Sequence, residues 1–373
     1  MQIIHIVRQY HPSVGGLEDA VRNLCLTLSR REGVSVRIVT LNRVFTHPEN
    51  ILPAHEMIDG ISVTRLPYRG SSRYPIAPAV LREIASADIV HVHAIDFFFD
   101  FLSLTRFIHR KPLVASTHGG FFHSGFAPRL KKIWFQTITR FSARGYKAIC
   151  TSSENDAATF RSIAAGKIVT VENGVNVDKW KNRASAEPRR AMIFIGRWAA
   201  SKRVPVLIDL VAALKKQGQE WSLIIAGIEG DETAASLQAH AEGRDVADRV
   251  HIHARPSEAE IGLLIGQSSY IASASAYEGF GISAVEGLSA GLMPLLSPLA
   301  PFDKLRRELG FGAIIDPAGL DQSARNIEQL HAEFTASPAM MREGALKLAR
   351  RYDWPGVTDR FMDIYRTAAQ PEA

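Results

Sequence analysis

The most informative segment of the sequence is Tyr277-Glu278-Gly279-Phe280-Gly281-Ile282-Ser283-Ala284-Val285-Glu286-Gly287. It follows a β-rich run at residues 270–273, and its glycines predict a tight turn that opens a helix. A strand, a turn and a helix in this order form the building unit of a parallel α/β sheet. The two glutamates lie eight residues apart, the first on the turn and the second in the helix.

Short β-rich runs alternate with helical patterns along the whole chain, which predicts parallel sheets covered by helices. The predicted strands of the first half are 3–7, 36–41, 89–93, 113–117, 148–151 and 168–171. Those of the second half are 192–196, 223–227, 250–253, 270–273, 294–296 and 313–315. The fold class is therefore α/β.

A polar, proline-containing stretch at residues 181–188 interrupts this pattern and predicts a domain boundary. We expect an N-terminal domain of residues 1–182, a C-terminal domain of residues 183–355, and a helix at 356–373 that packs back on the first domain. Each domain would be doubly wound and Rossmann-like. Ligands bind at the carboxyl ends of the strands in such sheets, so two facing domains predict an interdomain cleft.

The composition is that of an ordinary globular protein, because 46% hydrophobic and 22% charged residues among 373 allow an ample core. Residues 1–7 resemble a strand rather than a leader, and no apolar run approaches the ~18 residues of a membrane span. Cys25 and Cys150 share no metal-ligand spacing and are expected to be buried thiols. A reducing cytoplasm fits these features.

Basic residues are concentrated in the first half, where residues 1–182 hold 23 Lys/Arg against 14 Asp/Glu. Nine Lys/Arg and no acid lie between Asp100 and Glu154, interleaved with aromatic residues, so this segment could contact anionic lipid or an acidic substrate. The candidate membrane or acceptor residues are Arg129, Lys131, Lys132, Trp134, Phe135, Arg140 and Arg144. A basic amphipathic helix that covers the sheet is the alternative. Nucleic acid is disfavoured because no recognised binding motif is present.

Two cations, Arg197 and Lys202, lie five residues apart on the loop after the strand at 192–196. A planar guanidinium and an ammonium suit a diphosphate, although a solvated basic loop is the alternative. Gly15 and Gly16 follow the first strand and open a helix, where backbone N–H groups can approach a phosphate. A merely tight turn explains these two glycines equally well.

The glutamate stretch offers groups for both an anion and a sugar. The turn Gly279-Phe280-Gly281 would present free N–H groups and a helix N-terminus to an anion. The carboxylates of Glu278 and Glu286 accept hydrogen bonds from hydroxyl groups. Together these groups indicate a sugar-nucleotide site, and a capped helix with a core-facing Glu286 is the alternative.

The spacing of Glu278 and Glu286 resembles the E-x7-E motif of retaining GT-B glycosyltransferases of family GT4. Arg197 and Lys202 resemble the diphosphate-binding pair of that family. The likeness covers essentially the whole chain and includes Gly15-Gly16, residues 88–93, Thr117-His118-Gly119 and Asn173-Gly174-Val175-Asn176.

The resemblance implies a role for each matching side chain. His118 would lie beside the donor sugar, Glu278 would bind sugar hydroxyls, and Glu286 would bind the nucleotide ribose. A satisfied core histidine is the alternative for His118. Arg255, after the strand at 250–253, would lie near the base.

The implied reaction is a retaining hexosyl transfer by front-face displacement, with Arg197 and Lys202 on the departing β-phosphate. The leaving phosphate takes the proton of the acceptor, so no protein nucleophile is named. We expect no cofactor and no metal, because cations replace Mg²⁺ and the sequence holds no Asp-x-Asp. The pairs His91/His93 and His251/His253 alternate along strands and are expected to be packed rather than metal-bound.

Residues 117–123 and 140–146 most resemble GT4 mannosyltransferases that use GDP-mannose and a polyprenyl-diphosphate-linked oligosaccharide in bacterial exopolysaccharide assembly. This resemblance implies a peripheral enzyme at the cytoplasmic face of the cell membrane. The alternatives are a GT4 transferase with a UDP-sugar donor, a GT-B epimerase, a phosphorylase and a binding protein without catalysis. The glutamate pair together with Arg197 and Lys202 favours transfer.

Overall fold

The computed structural model describes residues 1–13, 15–72, 74–118 and 132–370. The chain forms two compact units. The first comprises Met1–Gly174 together with Trp354–Ala373, and the second comprises Val175–Asp353. The first unit thus takes a helix from far along the chain.

The first unit is built on an eight-stranded sheet with the order β12-β11-β10-β9-β1-β2-β6-β5. All neighbouring pairs are parallel except β5 with β6. The pairs β3-β4 and β7-β8 are small antiparallel ribbons. The strands are β1 (Gln2–Ile6), β2 (Ser35–Leu41), β3 (Arg43–Val44), β4 (His47–Ile51), β5 (His55–Ile58), β6 (Ile61–Leu66), β7 (Arg69–Ser71), β8 (Tyr74–Ile76), β9 (Ile89–His93), β10 (Leu113–Ser116), β11 (Ala148–Thr151) and β12 (Ile168–Thr170).

Helices cover this sheet. They are Gly16–Ser29, Val80–Glu83, Phe97–Leu104, Arg106–His109, Arg140–Ala143, Glu154–Ala164 and Trp354–Ala369, with a π-helical segment Phe135–Thr139 and a 3₁₀ turn Ala165–Lys167. The helix Trp354–Ala369 buries an apolar stripe against β1, β9 and β10, where Trp354 and Phe361 join Ile3, Ile89 and Val114 in one cluster. Burial of such side chains stabilises the unit by about 1.5–3 kcal/mol each.

The second unit has a six-stranded, wholly parallel sheet with the order β15-β14-β13-β16-β17-β18. Its strands are β13 (Ala191–Trp198), β14 (Ser222–Glu229), β15 (Val250–Ala254), β16 (Tyr270–Ser273), β17 (Met293–Leu296) and β18 (Ala313–Ile314). Its helices are Val204–Lys216, Ala234–Gly243, Glu258–Gly266, Ile282–Ala290, Ala300–Leu309, Leu320–Ala336 and Pro338–Arg350, with 3₁₀ turns Ala200–Lys202 and Ala247–Arg249.

Both sheets reverse their strand order beside their first strand, between β1 and β9 and between β13 and β16. At such a switch point the loops after adjacent strands run to opposite faces and leave a crevice for ligands. Two Rossmann-like, doubly wound units confirm the predicted α/β fold class. No helix in the described part of the chain combines the length and apolar character needed to cross a membrane.

The division between the units lies at Gly174/Val175 rather than at 182/183. Val175 forms a β-bridge with Asp353 inside the second unit. Trp180 is buried in a cluster on the second sheet, and Ser185 donates its backbone N–H to the carbonyl of Ser268 at 2.9 Å. The polar stretch at 181–188 is therefore fastened to the second unit, although its composition is that of a linker.

Candidate active site

Lys202 and Glu278 meet at the switch point of the second sheet. Lys202 ends the 3₁₀ turn after β13, and Glu278 lies on the turn after β16. The Lys202 ammonium donates a hydrogen bond to Oε1 of Glu278. The Ser275 hydroxyl donates to the same oxygen at 3.1 Å. The Lys202 and Glu278 side chains are 26% and 12% exposed, so a ligand in the crevice can reach both.

Hydrogen bonds hold the loops around this pair. The Ala276 N–H donates to the carbonyl of Ser201 at 2.8 Å, which joins the two turns directly. The Ser297 hydroxyl donates to the carbonyl of Ser275 at 2.8 Å, and the Ala200 N–H donates to Asp231 Oδ2 at 2.9 Å. Because the loops after four strands are joined in this way, the site is largely formed before any ligand binds.

Two further cations lie at the same edge of the sheet. Arg197 is exposed near the end of β13, and a Cβ atom at Gly230 would lie 3.2 Å from its Nε atom. Arg255 follows β15 and is held at φ +54° while its N–H donates to the carbonyl of Gly227 at 2.6 Å. A Cβ atom at Gly227 would lie 1.8 Å from the Gly196 carbonyl oxygen, so only glycine allows these strands to approach so closely.

The glycine turn opens the helix Ile282–Ala290. Gly281 is its N-cap at φ +91°, and a Cβ atom there would lie 2.5 Å from Phe302 Cε1. No described side chain caps this helix, so its first N–H groups and its dipole can attract an anion. The Phe280 ring is buried against Tyr352, with ring centroids 5.3 Å apart. The predicted donor contact of Phe280 is therefore limited to its backbone.

Glu286 lies in the second turn of this helix and is half-buried. Gly279 belongs to the same turn as Glu278 and is also half-buried. The structure thus brings the predicted residues Arg197, Lys202, Arg255, Glu278, Gly279, Gly281 and Glu286 to the carboxyl edge of one sheet or into the helix beside it.

His118 is the predicted site residue of the first unit. It follows β10 with φ +53°, a left-handed conformation that is uncommon outside glycine and asparagine. Its Nε2 atom lies 2.9 Å from Nδ1 of His93. It lines a pocket together with Ser116, Cys150, Ser152, Glu172 and Asn173. Burial lowers the pKa of His118 to about 4, so the imidazole is neutral at pH 7.

Gly15 and Gly16 start the helix Gly16–Ser29, as the sequence predicts. A Cβ atom at Gly15 would lie 2.5 Å from a carboxylate oxygen of Glu18. Glu18 and Asp19 both lie in the first turn of this helix, where carboxylates interact with its dipole in the way a phosphate would. Phosphate binding by these glycines stays a prediction.

Each of the buried histidines His5, His91 and His93 has a neighbouring side chain at hydrogen-bonding distance from at least one ring nitrogen. His5, His91 and His93 bring ring nitrogens within 4.8 Å of one another. However, His91 has Tyr365 Oη at 2.7 Å and Ser116 Oγ at 2.8 Å, so both of its nitrogens are engaged. This arrangement fits packed histidines rather than metal ligands.

The expectation that His251 and His253 are packed is wrong. Both side chains are exposed, because β15 is the edge strand of the second sheet. An edge strand leaves one side without a neighbouring strand, and polar side chains are tolerated there. Alternation along a strand indicates a face but does not tell whether that face is covered.

The basic segment of the first unit is only partly as predicted. Lys132, Arg140 and Arg144 are exposed, whereas Arg129 and Lys131 lie outside the described residues. Phe135 is 2% exposed, with its ring edge against Phe160 at 5.1 Å, so its assignment as a membrane contact is wrong. It shares the inward face of its helical segment with the buried Thr139.

Trp134 is also drawn inward. It is half-buried, and its ring packs edge-on against Tyr74 at 5.8 Å. The indole donates a hydrogen bond to the Asp100 side chain. Trp134 therefore contributes to the core of the unit, and only part of its surface reaches solvent.

Exposed apolar side chains nearby were not predicted from the sequence. Phe107 is 72% exposed and Phe141 is 56% exposed. Arg106 donates to the carbonyl of Arg144 at 3.5 Å, which places their two helices side by side. We call the following exposed residues the basic-apolar surface: Leu104, Arg106, Phe107, Ile108, Lys132, Ile133, Ile138, Arg140, Phe141 and Arg144. The available signal was the segment Arg106-Phe107-Ile108-His109-Arg110, which mixes cations with apolar residues.

An ion pair at the switch point of the first sheet was not predicted from the sequence either. Nε of Arg8, just after β1, lies 3.1 Å from Oδ2 of the buried Asp96, just after β9. Asp96 also accepts the N–H of Phe98 at 2.8 Å as a helix cap. Burial raises the pKa of Asp96 to about 6, and Arg8 opposes that shift. The cap position was the available signal for Asp96.

Two family models match the chain in succession. Glycosyltransferase Family 4 matches residues 14–179, and Glycosyl transferases group 1 matches residues 177–347. A GDP-mannose:cellobiosyl-diphosphopolyprenol alpha-mannosyltransferase of Komagataeibacter xylinus is 44% identical over 100% of this chain and 95% of its own length. A protein of the same name from Xanthomonas campestris is 42% identical over 99% of this chain and 97% of its own length.

A solved structure shares the fold. The Anabaena protein HepE in complex with UDP superposes with a TM-score of 0.74 at 17% identity, over 98% of this chain and 100% of the other. Two doubly wound units, with a cation–carboxylate site on the second, define a glycosyltransferase of the GT-B class. The chain belongs to glycosyltransferase family 4 and is similar over its whole length to the mannosyltransferases named above. The predicted family and enzyme class are confirmed.

Proposed function

We propose that this enzyme transfers an α-mannosyl group from GDP-mannose to a polyprenyl-diphosphate-linked oligosaccharide, with retention of configuration. The proposal is carried by sequence identity. Over 99–100% of its length, the chain is 41–44% identical to mannosyltransferases named for this donor and a cellobiosyl-diphosphopolyprenol acceptor. The cations and carboxylates at the edge of the second sheet supply the chemistry that a sugar diphosphate needs. Exopolysaccharide assembly is the proposed setting.

The diphosphate is held by Arg197 and Lys202 in this proposal. Negative charge grows on the β-phosphate as the glycosidic bond breaks, and fixed cations stabilise that charge without reorganisation. The N-terminus of Ile282–Ala290, which no described side chain caps, adds its dipole to theirs. The leaving phosphate accepts the proton of the acceptor hydroxyl, so the protein needs no nucleophile of its own.

The sugar and the nucleoside are held by neutral and acidic groups. Glu278 accepts hydrogen bonds from sugar hydroxyls, Glu286 accepts those of the ribose, and Arg255 lies beside the base. His118 contacts the transferred sugar as a neutral imidazole, since its pKa is about 4. A neutral ring avoids repulsion with the positive charge that develops on the sugar.

The Lys202–Glu278 contact has a role before the donor binds. The hydrogen bond holds the ammonium at the crevice, and the donor replaces it with one phosphate contact to Lys202 and one hydroxyl contact to Glu278. Two charged groups are thus never left without a partner, which avoids the cost of a lone buried charge.

The basic-apolar surface carries the proposed membrane contact. Its cations attract anionic headgroups at about 1 kcal/mol each, and its exposed apolar side chains can enter the interface. This places the enzyme at the cytoplasmic face of the cell membrane, where a polyprenyl-linked acceptor is within reach. No nucleic-acid partner is proposed.

The enzyme is proposed to act without metal or cofactor. Arg197 and Lys202 supply the positive charge that Mg²⁺ supplies in other transferases. Transfer rates that are equal in EDTA and in added Mg²⁺ are expected. A rate that collapses in EDTA and recovers with Mg²⁺ contradicts this part of the proposal.

The test uses the purified protein with GDP-, UDP- and ADP-sugars in calorimetry, followed by transfer to cellobiosyl-diphosphopolyprenol in vesicles. We expect selective binding of GDP-mannose, transfer of mannose, and an α-linkage in the product by proton NMR. Preference for a UDP-sugar overturns the donor, and donor turnover without an acceptor points to an epimerase. Transfer to free cellobiose at the same rate overturns the lipid-linked acceptor.

A further inference from the structure

A line of hydrogen-bonded histidines runs from the core of the first unit to His118. Nδ1 of His5 lies 2.9 Å from Nε2 of His93, and Nδ1 of His93 lies 2.9 Å from Nε2 of His118. His5 and His93 are stacked, with centroids 5.2 Å apart and planes 17° apart. Both are fully buried, on β1 and β9, whereas His118 reaches the pocket after β10.

Each neutral imidazole carries one N–H, so the three rings cannot choose their tautomers independently. If His5 carries its proton on Nδ1, it donates to His93, which must then carry its own on Nδ1 and donate to His118. His118 accepts at Nε2 and keeps its proton on Nδ1. If the line runs the other way, every proton lies on Nε2.

The inner end of the line selects between the two directions. Nε2 of His5 is buried and has no hydrogen-bond partner among the described residues. In the first direction this atom is a bare lone pair, and in the second it is an N–H donor with nothing to receive it. Buried N–H groups without a partner are rarer than unsatisfied acceptors, so the first direction is favoured.

We propose that His93, in the middle of the line, is a positioning residue that fixes His118 as the Nδ1–H tautomer, so that it can only donate a hydrogen bond from Nδ1. The functional meaning rests on the proposed function, in which His118 contacts the transferred sugar. A fixed donor recognises a hydroxyl oxygen and disfavours a ligand group that needs an acceptor at that position.

Burial keeps the three imidazoles neutral. The proposal requires this, because only a neutral ring has one donor and one acceptor nitrogen. Burial lowers the pKa of His5 to about 3 and that of His118 to about 4, and it holds the pKa of His93 well below its ordinary value. The ring centroids of His91 and His93 lie 4.1 Å apart with the planes tilted by 33°, but His91 hydrogen-bonds to Tyr365 and Ser116 instead, so it is not part of the line.

The direct test is the tautomer of His118, read from its side-chain ¹⁵N shifts in histidine-labelled protein at pH 7. The signals are assigned by their loss in His118→Gln. We expect one protonated and one unprotonated nitrogen, with the proton on Nδ1. A wild-type protein with the proton on Nε2, or with a mixture, overturns the proposal without any further variant.

Variants at His5 and His93 test whether His93 fixes the tautomer of His118. His93→Leu removes the donor to Nε2 of His118 and should convert His118 into a mixture of tautomers, whereas His93→Asn should restore the Nδ1–H form because its amide N–H replaces the lost donor. His5→Phe leaves His93 in place, and a bare lone pair at His93 Nε2 is again favoured over an N–H without an acceptor, so His118 should keep its proton on Nδ1. The matched control is His91→Leu, a buried change of the same kind on the same strand, which should leave the tautomer fixed. An unchanged His118 in folded His93→Leu contradicts the proposal.

Activity separates this inference from the proposed function. His93→Leu should lower kcat with GDP-mannose about tenfold, the equivalent of one hydrogen bond, while the Kd for GDP is unchanged, and His93→Asn should recover it. If the tautomers respond as expected but kcat does not, the positioning role of His93 stands and the sugar contact of His118 fails. If kcat falls while the tautomer stays fixed, the positioning role of His93 fails.

Discussion

Lys202 and Glu278 are 76 residues apart in the sequence, yet the ammonium of one donates directly to the carboxylate of the other. The contact joins the loops after β13 and β16, on either side of the point where the strand order reverses. In the proposed function, the free enzyme therefore keeps its leaving-group cation and its sugar-binding carboxylate paired with each other. If the donor binds as proposed, it must separate these two groups.

Replacing Glu278 with Gln should separate donor recognition from nucleotide binding. The change removes the charged partner of Lys202, which leaves the ammonium free for phosphate. We expect the Kd for GDP to be equal or lower, while transfer falls at least tenfold because a charged hydrogen bond to the sugar is lost. Calorimetry and initial rates measure the two effects. Glu308→Gln, at a carboxylate paired with Lys304 and Arg351, is the control and should change neither.

Replacing Lys202 with Met should affect mainly kcat. The cation acts on charge that develops in the transition state, so we expect a loss of about 10²–10³ in kcat. Lys216→Met removes the same charge at the far end of the helix Val204–Lys216 and should keep full activity. A loss confined to KM would mean that Lys202 binds the ground state only.

Replacing Glu286 with Ala should weaken binding of the whole nucleotide. Loss of a charge-assisted bond to the ribose corresponds to about 1.5–3 kcal/mol, or roughly a tenfold to hundredfold rise in Kd. Titration with GDP and with GDP-mannose should give the same loss. The exposed Glu343, on the helix Pro338–Arg350, provides the control variant Glu343→Ala. Unchanged affinity for GDP counts against a ribose contact.

The basic-apolar surface should control membrane binding. The double change Phe107→Ser with Phe141→Ser, or Arg140→Ser with Arg144→Ser, should release the protein from vesicles that contain anionic lipid. Sedimentation with vesicles measures this, and GDP binding should not change. Leu263→Ser with Met340→Ser removes exposed apolar side chains from the second unit and should leave vesicle binding intact. Wild-type binding by both surface variants would refute the proposed docking.

Stability should fall as the pH drops below about 6.5, the ordinary pKa of histidine. The folded pKa values of His5 and His118, about 3 and about 4, lie below that of an unfolded chain. The unfolded state therefore binds protons that the native state does not. The contribution of these histidines to the free energy of unfolding is complete above pH 6.5. It is lost progressively as the pH falls towards their pKa values in the folded protein, by up to about 1.4 kcal/mol per pH unit for each histidine.

Urea unfolding between pH 7.5 and 5.0 measures this slope. His5→Phe should flatten it by the equivalent of one proton, whereas His251→Gln, at an exposed residue, should leave it unchanged. A free energy of unfolding that stays level over this range would show that the buried histidines take up protons in the native state.

The apolar strands could be predicted from the sequence because they are buried on both faces. Residues 223–227, for example, are an uninterrupted apolar run and form the middle of β14. β6 escaped prediction because Thr64 and Arg65 interrupt it, and these residues are buried through partners elsewhere, such as Glu56 for Arg65. A polar residue that is buried together with a hydrogen-bonding partner cannot be predicted as buried until that partner is known.

The candidate site was predictable only where chemistry and spacing coincide. Glu278 and Glu286 share a short segment, so their spacing carries information. The support of Glu278 by Ser275 and the Arg8–Asp96 pair depend on which strand ends become neighbours, and sequence distance does not give that. Phe135 was misassigned for a related reason, since an aromatic residue among cations can belong to the surface or to the core.

Because the first unit includes the helix Trp354–Ala369, it can complete its fold only late in synthesis. Tyr365 reaches its partner His91 only after the entire second unit has left the ribosome. Until then, the apolar face formed by Ile3, Ile89 and Val114 is uncovered, and such a face attracts chaperones and aggregation partners. The unit that is begun first is therefore completed last, and a stalled chain would expose the sheet that carries the histidine line.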